Sequence, residues 1–360
     1  MSLPRAGSSL HQIASLLGVS SATVSNALAG KGRVSAELVE KIRLTASQLG
    51  YVPSQTGRAL RTGRTHVLGL VLPNIANPLF PQIAQAIEQC AAKAGYGILI
   101  ADSHGDIAAQ TAAIKRLIER SVDGIIVVPR RGTRIADAGR PVAVIDSPST
   151  PGNTVSADHW QGGQAIVDHL AALGHRQFLL IGNNPDSNVQ NDRIGGMRSR
   201  LPAGGRAEIL WIELHERQRG SGVLLGLREK VAEGFTAFCA VSDLHALRAL
   251  TELQGAGIAV PQQASVTGFD DLVFSSVITP GLTTVRMDMA LIAEIAIRSL
   301  TQTIEHETMA TQEQPRQARS TLVAAEQKSV PMALVVRQTS GRAAQQKQPM
   351  MDLLPEGEHG

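Results

Sequence analysis

Residues 9–53 read SLHQIASLLGVSSATVSNALAGKGRVSAELVEKIRLTASQLGYVP. Leu10, Ile13, Ala14 and Leu17 recur at three- and four-residue steps behind Ser9, the spacing that lays one apolar stripe along a capped helix. Gly18 ends it. After the turn Gly18-Val19-Ser20 the pattern predicts a second helix from Ser21, with Val24 and Leu28 inward and Ser21, Ala22, Ser25 and Asn26 outward. Ser35 caps a third helix through Leu49, whose Leu38, Ile42, Ala46 and Leu49 close a three-helix core. Gly50 and Pro53 stop it. The arrangement is a helix-turn-helix.

Charge separates this head from the rest. Residues 1–64 carry eight Lys and Arg against two Glu, a net +6, whereas the remainder carries 26 basic and 29 acidic residues, a net −3. A basic head on a mildly acidic body is what phosphate neutralisation at one end requires. The outward residues of the second helix fit that use. Residues at the start of a recognition helix approach base edges, which makes Ser21 and Ala22 specificity positions, with Asn26 one turn on and able to pair with an adenine edge; Ser20 joins the DNA contacts. Thr23, Ser25, Lys31 and Arg33 are assigned to phosphates, which position without specifying sequence.

Length and composition bound the body. A chain of 360 residues exceeds one ordinary domain, and 43% apolar content suffices for packed cores. No charged-then-apolar leader opens the sequence and no apolar run reaches the roughly 18 residues of a membrane span, so a cytoplasmic protein without membrane contact is expected. Cys90 and Cys239 are the only cysteines and lack metal spacing; the expectation is reduced core thiols, with no metal and no cofactor. No GxSxG, GxxxxGK[ST] or GxGxxG is present, which argues against an enzyme.

Beyond residue 64 apolar runs alternate with helical patterns. His66–Leu72, Tyr96–Ala101, Gly124–Val128 and Val142–Ile145 read as strands around helices at Gln82–Lys93 and Ala108–Glu119. A second set, Phe178–Ile181, Glu208–Ile212, Phe238–Val241 and Ser265–Thr267, follows a helix at Trp160–Leu173. Two doubly wound α/β lobes result. In open parallel sheets the loops leaving the carboxyl ends of the strands form the ligand crevice, and Asp146, Asp158, Ser242, Asp243 and Asp270 stand at such ends. Carboxylates that accept from adjacent hydroxyls and an Arg fork that donates to oxygen suit a polyhydroxyl ligand.

The run IASLLGVSSATVSNALAGKGRVSAELVEKI, followed by LGYVPS and RAL, resembles the lactose-repressor (LacI/GalR) family of bacterial transcription regulators. The likeness continues through VLGLVLPNIANPLF, VSADHW, DHLAALGHR, GFDD and LTTVR, over roughly residues 9–340. It implies a helix-turn-helix head at 1–51, a hinge at 52–64 and a periplasmic-binding-protein-like body at 65–340. Lobe 1 is then about 65–160 and 289–328, and lobe 2 about 161–288 and 329–340. A disordered tail at 341–360 is expected from its prolines and lack of heptads. The segment 308–329 is less typical of the family.

By the same resemblance Arg193 of RIGG, Asp270 of GFDD and Asp158 bind the effector. Asp146 and Ser242 carry over too, Phe80 lines the opposite lobe, and Trp160 stacks on a ring. The alternative for Asp158 and Asp271 is a helix cap, and for Trp160 and Phe80 core or subunit-interface packing. In the hinge, Ser54 and Arg58 join the DNA contacts and Leu60 is the apolar wedge that opens a minor-groove step. Ser54 stands where the family usually has Asn and Gly57 where it has Ala; glycine weakens a helix interior by about 1 kcal/mol. The expected partners are a near-palindromic operator, a second copy of the chain and a sugar, polyol or sugar acid. A purine corepressor is the alternative, although a chain only 3% aromatic offers few flat walls for one.

Overall fold

The computed structural model describes residues 10–28, 30, 32, 34–51, 59, 63–133, 135, 138–311, 322–326 and 328–344. They belong to two compact units, 1–65 and 66–360. Lys31, Arg33, Ser54, Gly57, Arg58 and Leu60 lie outside the described residues, as do 312–321 of the atypical segment and 345–360 of the tail.

The first unit holds α1 (Leu10–Leu17), α2 (Ser21–Leu28) and α3 (Ala36–Gln48). Ile13, Val24 and Ile42 are fully buried at its centre, with Ala14, Ala27 and Ala46 packed around them. Each of the three larger side chains contributes about 1.5–3 kcal/mol on burial. A core this small depends on its caps. Gly18 adopts φ +63°, a left-handed turn that a side chain rarely takes, and Ser35 accepts from the Leu38 amide at 3.4 Å to start α3.

The second unit is built on two four-stranded parallel sheets with the same order. In the first, β2 (Gly97–Asp102), β1 (Val67–Leu72), β3 (Gly124–Val127) and β4 (Val142–Val144) lie side by side. In the second the order is β7 (Arg206–Trp211), β6 (Gln177–Gly182), β8 (Ala237–Ala240) and β9 (Ser265–Thr267). The central strands are buried almost throughout, which is why they read as continuous apolar runs. Cys239 lies within β8, where burial pushes its thiol up to about 12; Cys90 is half-buried.

Helices α4 (Leu79–Lys93) and α5 (Ile107–Glu119) serve the first sheet, and α6 (His159–Ala172) packs on α7 (Asn188–Ser199) beside the second. Next come α8 (Ile212–Arg219), α9 (Leu227–Ala232) and α10 (Asp243–Gly255). The chain passes between the sheets three times. It leaves the first after β5 (Ser156–Ala157), returns between β10 (Thr284–Arg286) and α11 (Met289–Thr311), and leaves again between β11 (Ser329–Val330) and β12 (Ala333–Val335). Strand β11 runs parallel to β5 and β12 antiparallel to β10, so the crossing strands are paired on each side.

The α6–α7 contact is unusually close because it is made of glycines. A Cβ on Gly196 would sit 2.0 Å from the Trp160 carbonyl oxygen, and one on Gly163 2.2 Å from that of Arg193. The pairs Gly162-Gly163 and Gly195-Gly196 therefore let the two backbones meet, which fixes where Arg193, one turn earlier on α7, points.

Candidate functional site

Between the carboxyl ends of the two parallel sheets lies a cavity of about 660 Å³, the position expected of a ligand crevice. Phe80, Asp146, Arg193, Ser242 and Asp270 all line it. The structure thus brings together five of the seven residues expected to hold a ligand.

Arg193 is its centre. The side chain is 3% exposed and lies 4.4 Å above the Phe269 ring, while Nη1 donates to the Val241 carbonyl at 2.5 Å and Nε to His159 Nδ1 at 3.3 Å. Nη2 sits 2.9 Å from Asp270 Oδ1 as an ion pair, yet the angle leaves that oxygen without a directed hydrogen bond. Asp270 is itself 3% exposed and adopts φ +104°, a strained conformation for an aspartate that aims its carboxyl at the arginine. Burial raises its pKa and the guanidinium opposes the rise.

Burial, then the adjacent guanidinium, holds the His159 pKa well below the usual imidazole value, so the ring is neutral. With Nδ1 accepting from Arg193, the proton sits on Nε2, which donates to the Asp146 carbonyl at 3.2 Å. His159 thereby ties the end of β4 to α7.

Asp146 is half-buried, and burial pushes its carboxyl up to about 6 against a hydrogen bond from Thr150. The loop that follows it reaches α7: Ser147 and Ser149 donate to Asp192, and Asn188 donates to Thr150 at 3.0 Å. On the other wall Ser242 caps α10 and its hydroxyl lies 2.7 Å from His245 Nδ1; burial lowers that imidazole to about 4. Behind Asp270, Asp243 is fully buried and accepts from the Leu272 amide and the Ser275 hydroxyl, both at 2.7 Å. Burial and then the Asp270 carboxylate push it up to about 7. Asp243 braces the loop and does not line the cavity.

Asp158 and Trp160 take other places. Asp158 is the N-cap of α6, accepting from the Gln161 amide at 2.9 Å, and lies outside the cavity lining. Trp160, 44% exposed, lays its ring over Gly195 on the far side of α6 and likewise does not reach the cavity. Both follow from helix geometry: the helix starts at His159, so the neighbour of the cap points inward and the next residue turns away. Asp271, by contrast, pairs with Arg286 Nε and Arg337 Nη2, each at 2.6 Å. His159, Asn183, Asn188, Glu213 and His245 line the cavity but were not singled out in sequence. Asn183 follows β6 directly, so the strand-end rule that found Asp146 would have found it.

In the head, Ala22 and Asn26 are exposed on α2 and Ser21 and Ser25 are half-buried. Ser20 accepts from the Thr23 amide at 3.0 Å, and their hydroxyls lie 2.9 Å apart. Ser20 is thus a helix cap, and its carbonyl accepts from the Val24 amide at 3.1 Å.

Known proteins carry the same combination. Residues 9–54 match the model of bacterial regulatory proteins of the lacI family, and residues 167–340 match a periplasmic binding protein-like domain. The chain is 30% identical over 292 residues to the HTH-type transcriptional regulator DegA of Bacillus subtilis, covering 77% of this chain and 85% of that one. It is 28% identical to the ribose operon repressor of Haemophilus influenzae, covering 82% and 92%. It is also 26% identical to the HTH-type transcriptional repressor PurR of Aliivibrio fischeri, covering 85% and 95%. The solved Lac repressor dimer bound to operator and an anti-inducer has the same fold, with a TM-score of 0.76 at 24% identity over 93% of this chain and all of that one. A helix-turn-helix head and a two-sheet body with a cleft, in one chain with these relatives, are the mark of a DNA-binding transcriptional regulator, and this chain belongs to the lacI family of bacterial regulatory proteins.

Proposed function

We propose that this regulator is a cytoplasmic repressor, working as a homodimer on a near-palindromic operator, whose DNA affinity is set by a polyhydroxyl molecule held in the cleft. The observation that carries the reading is the buried Arg193–Asp270 pair: the two groups lie 2.9 Å apart, both residues line the cavity, and the carboxylate can accept from a ligand hydroxyl while the guanidinium balances its charge. Arg193 and Asp270 form the floor of the site, Asp146 and Asn188 the side and Phe80 the apolar wall.

The hinge at 52–64 and the division of the body into two lobes belong to this reading. Lobes joined by three crossings and by the Ser147, Ser149 and Thr150 contacts to α7 favour two discrete arrangements. A ligand that prefers one of them biases the equilibrium that operator also biases. The second copy is supported by β2, an edge strand whose Leu99 and Ile100 are 37% and 48% exposed. Catalysis has no part in the scheme. No helix among the described residues is long and apolar enough to cross a membrane. A purine effector has the PurR relative in its favour, but Phe80 is the one aromatic ring among the lining residues besides histidine, which favours a saturated polyol.

A thermal-melting screen of sugars, polyols, sugar acids and purines tests this reading, since a ligand bound only to the folded state raises its melting temperature. The expected result is a hit whose stabilisation disappears in Asp270→Asn and Arg193→Lys. Stabilisation that survives both substitutions overturns the site.

A further inference from the structure

The two walls of the cleft differ in charge. All lining residues between 73 and 131 belong to the first sheet's loops and helices, and among them are Arg130 and Arg131 but no aspartate or glutamate. Of the cavity's acids, Asp146 follows β4 of the first sheet, whereas Asp186, Glu213 and Asp270 follow strands of the second, so the first wall carries two arginines against one acid and the second Arg193 against three.

Most of those acids already have company. Asp270 faces Arg193, Glu213 accepts from Asn183 Nδ2 at 2.9 Å, and Asp146 accepts from Thr150. Arg193 is likewise spent on Asp270 and the Val241 carbonyl. Arg130 is different. Its guanidinium has neither an ion pair nor a hydrogen bond among the described residues, although it is half-buried.

Its backbone, in contrast, is held firmly. Gln110, fully buried on α5, accepts from the Arg130 amide at 2.8 Å and from the Thr133 hydroxyl at 2.6 Å, and donates to the Val128 carbonyl at 3.1 Å. The guanidinium rests on the Gly105 turn, where a Cβ would lie 3.3 Å from Nη1. A braced loop thus presents to the cleft a planar cation with no partner among the described residues, and a neutral ligand that closed the cleft would leave that charge desolvated without a counter-ion from them.

We infer that the effector is an anionic polyol whose carboxylate or phosphate pairs with Arg130 on the first lobe, while its hydroxyls face Asp146 on the same lobe and Arg193 and Asp270 on the opposite one. The inference rests on the cleft being the effector site and narrows its ligand class. The planar fork of an arginine matches two oxygens of an oxyanion, which a lysine ammonium does not. Arg131, exposed beside it, adds field without geometry.

The test is isothermal titration of the full-length protein with matched sets: D-glucose with D-gluconate and glucose 6-phosphate, D-galactose with D-galactonate and galactose 6-phosphate, and D-ribose with D-ribonate and ribose 5-phosphate. The same titrations are run on Arg130→Gln and Arg130→Lys, with Asp270→Asn as the site control. The expected result is an anion that binds at least tenfold tighter than its neutral parent, an advantage erased in Arg130→Gln and partly kept in Arg130→Lys. Whether the aldonate or the phosphate of a set carries the advantage separates the two sources of the charge. A neutral sugar that binds as tightly as its acid, or an Arg130→Gln variant that weakens both members equally, overturns the inference while leaving the effector site intact; the latter is what an arginine that merely closes the cleft against Asp186 or Glu213 would give. Binding of any set that is indifferent to Asp270→Asn, or no binding by any member, overturns both.

Discussion

The two lobes share a sheet order and the same alternation of strand and helix, yet their cleft-facing ends are built differently. The second lobe's end is dense with buried charge: Arg193, Asp243 and Asp270 are each 3% exposed or less, with His159 neutral beside them. The first lobe's end is apolar around Phe80, with Asp146 half-buried and Arg130 unpaired among the described residues. One architecture thus hosts a buried constellation of charges and a more open wall. The lesson is that the strand-end rule locates a crevice on both sheets, while what each wall contributes depends on side chains that the sheet order does not determine.

Removing the centre of the dense wall should have the largest effect. Arg193→Ala leaves Asp270 as an uncompensated buried carboxylate beside Asp243, and urea unfolding should show a loss of about 3–5 kcal/mol, the usual cost of halving a buried pair. An equal loss from Arg130→Ala would erase the contrast between the walls.

Asp146 sharpens the comparison through pH. Its carboxyl is pushed up to about 6 in the fold from an ordinary 3.8. The folded state therefore binds its proton more tightly than the unfolded chain, so this group's contribution to stability is fully present below about pH 4 and is lost as pH rises through about 6. The loss is on the order of 3 kcal/mol. His245, lowered to about 4, acts in the opposite sense over much of that window, so the quantity to measure is the stability of Asp146→Asn minus that of the parent chain. That difference should grow in the variant's favour from pH 4 to pH 7 and then level off.

Gly196→Ala probes the helix contact that positions Arg193. With 2.0 Å between the new Cβ and the Trp160 carbonyl oxygen, α6 and α7 must separate. The expected cost is about 1–3 kcal/mol, accompanied by weaker effector binding read by calorimetry. A Gly195→Ala variant meets only the Trp160 ring and should spare binding more.

The smallest effect belongs to Asp158→Ala. Loss of a helix cap destabilises by about 1 kcal/mol, and because Asp158 lies outside the cavity, effector affinity should be unchanged. A tenfold loss of affinity would return Asp158 to the site.

Much of this was legible in the sequence, for identifiable reasons. Buried parallel strands such as Gly124–Val127 and Ala237–Ala240 are short continuous apolar runs, and the head's three helices show clear three- and four-residue steps. The helix at Asn188–Ser199 was not read, because NVQNDRIGGMRS has no apolar stripe and hides its packing in a glycine pair. Within the site, Arg193 and Asp270 stood out through their motifs. Asp158 and Trp160 fall outside the cavity lining, since sequence spacing cannot tell whether the residue after a strand caps the next helix or faces the cleft. His159, between them, carried no signal as a lone histidine; only its place between the Asp146 carbonyl and Arg193 gives it a role.

The most direct test of the account is the affinity of the full-length regulator for a DNA site selected from random sequence by the protein itself, measured by fluorescence anisotropy at fixed salt with and without the cleft ligand found by melting or titration. The account predicts that saturating ligand changes the operator Kd at least fivefold in the parent chain, in either direction, and leaves it unchanged in Asp270→Asn. Tight ligand binding with an unaltered operator Kd in the parent chain would contradict it.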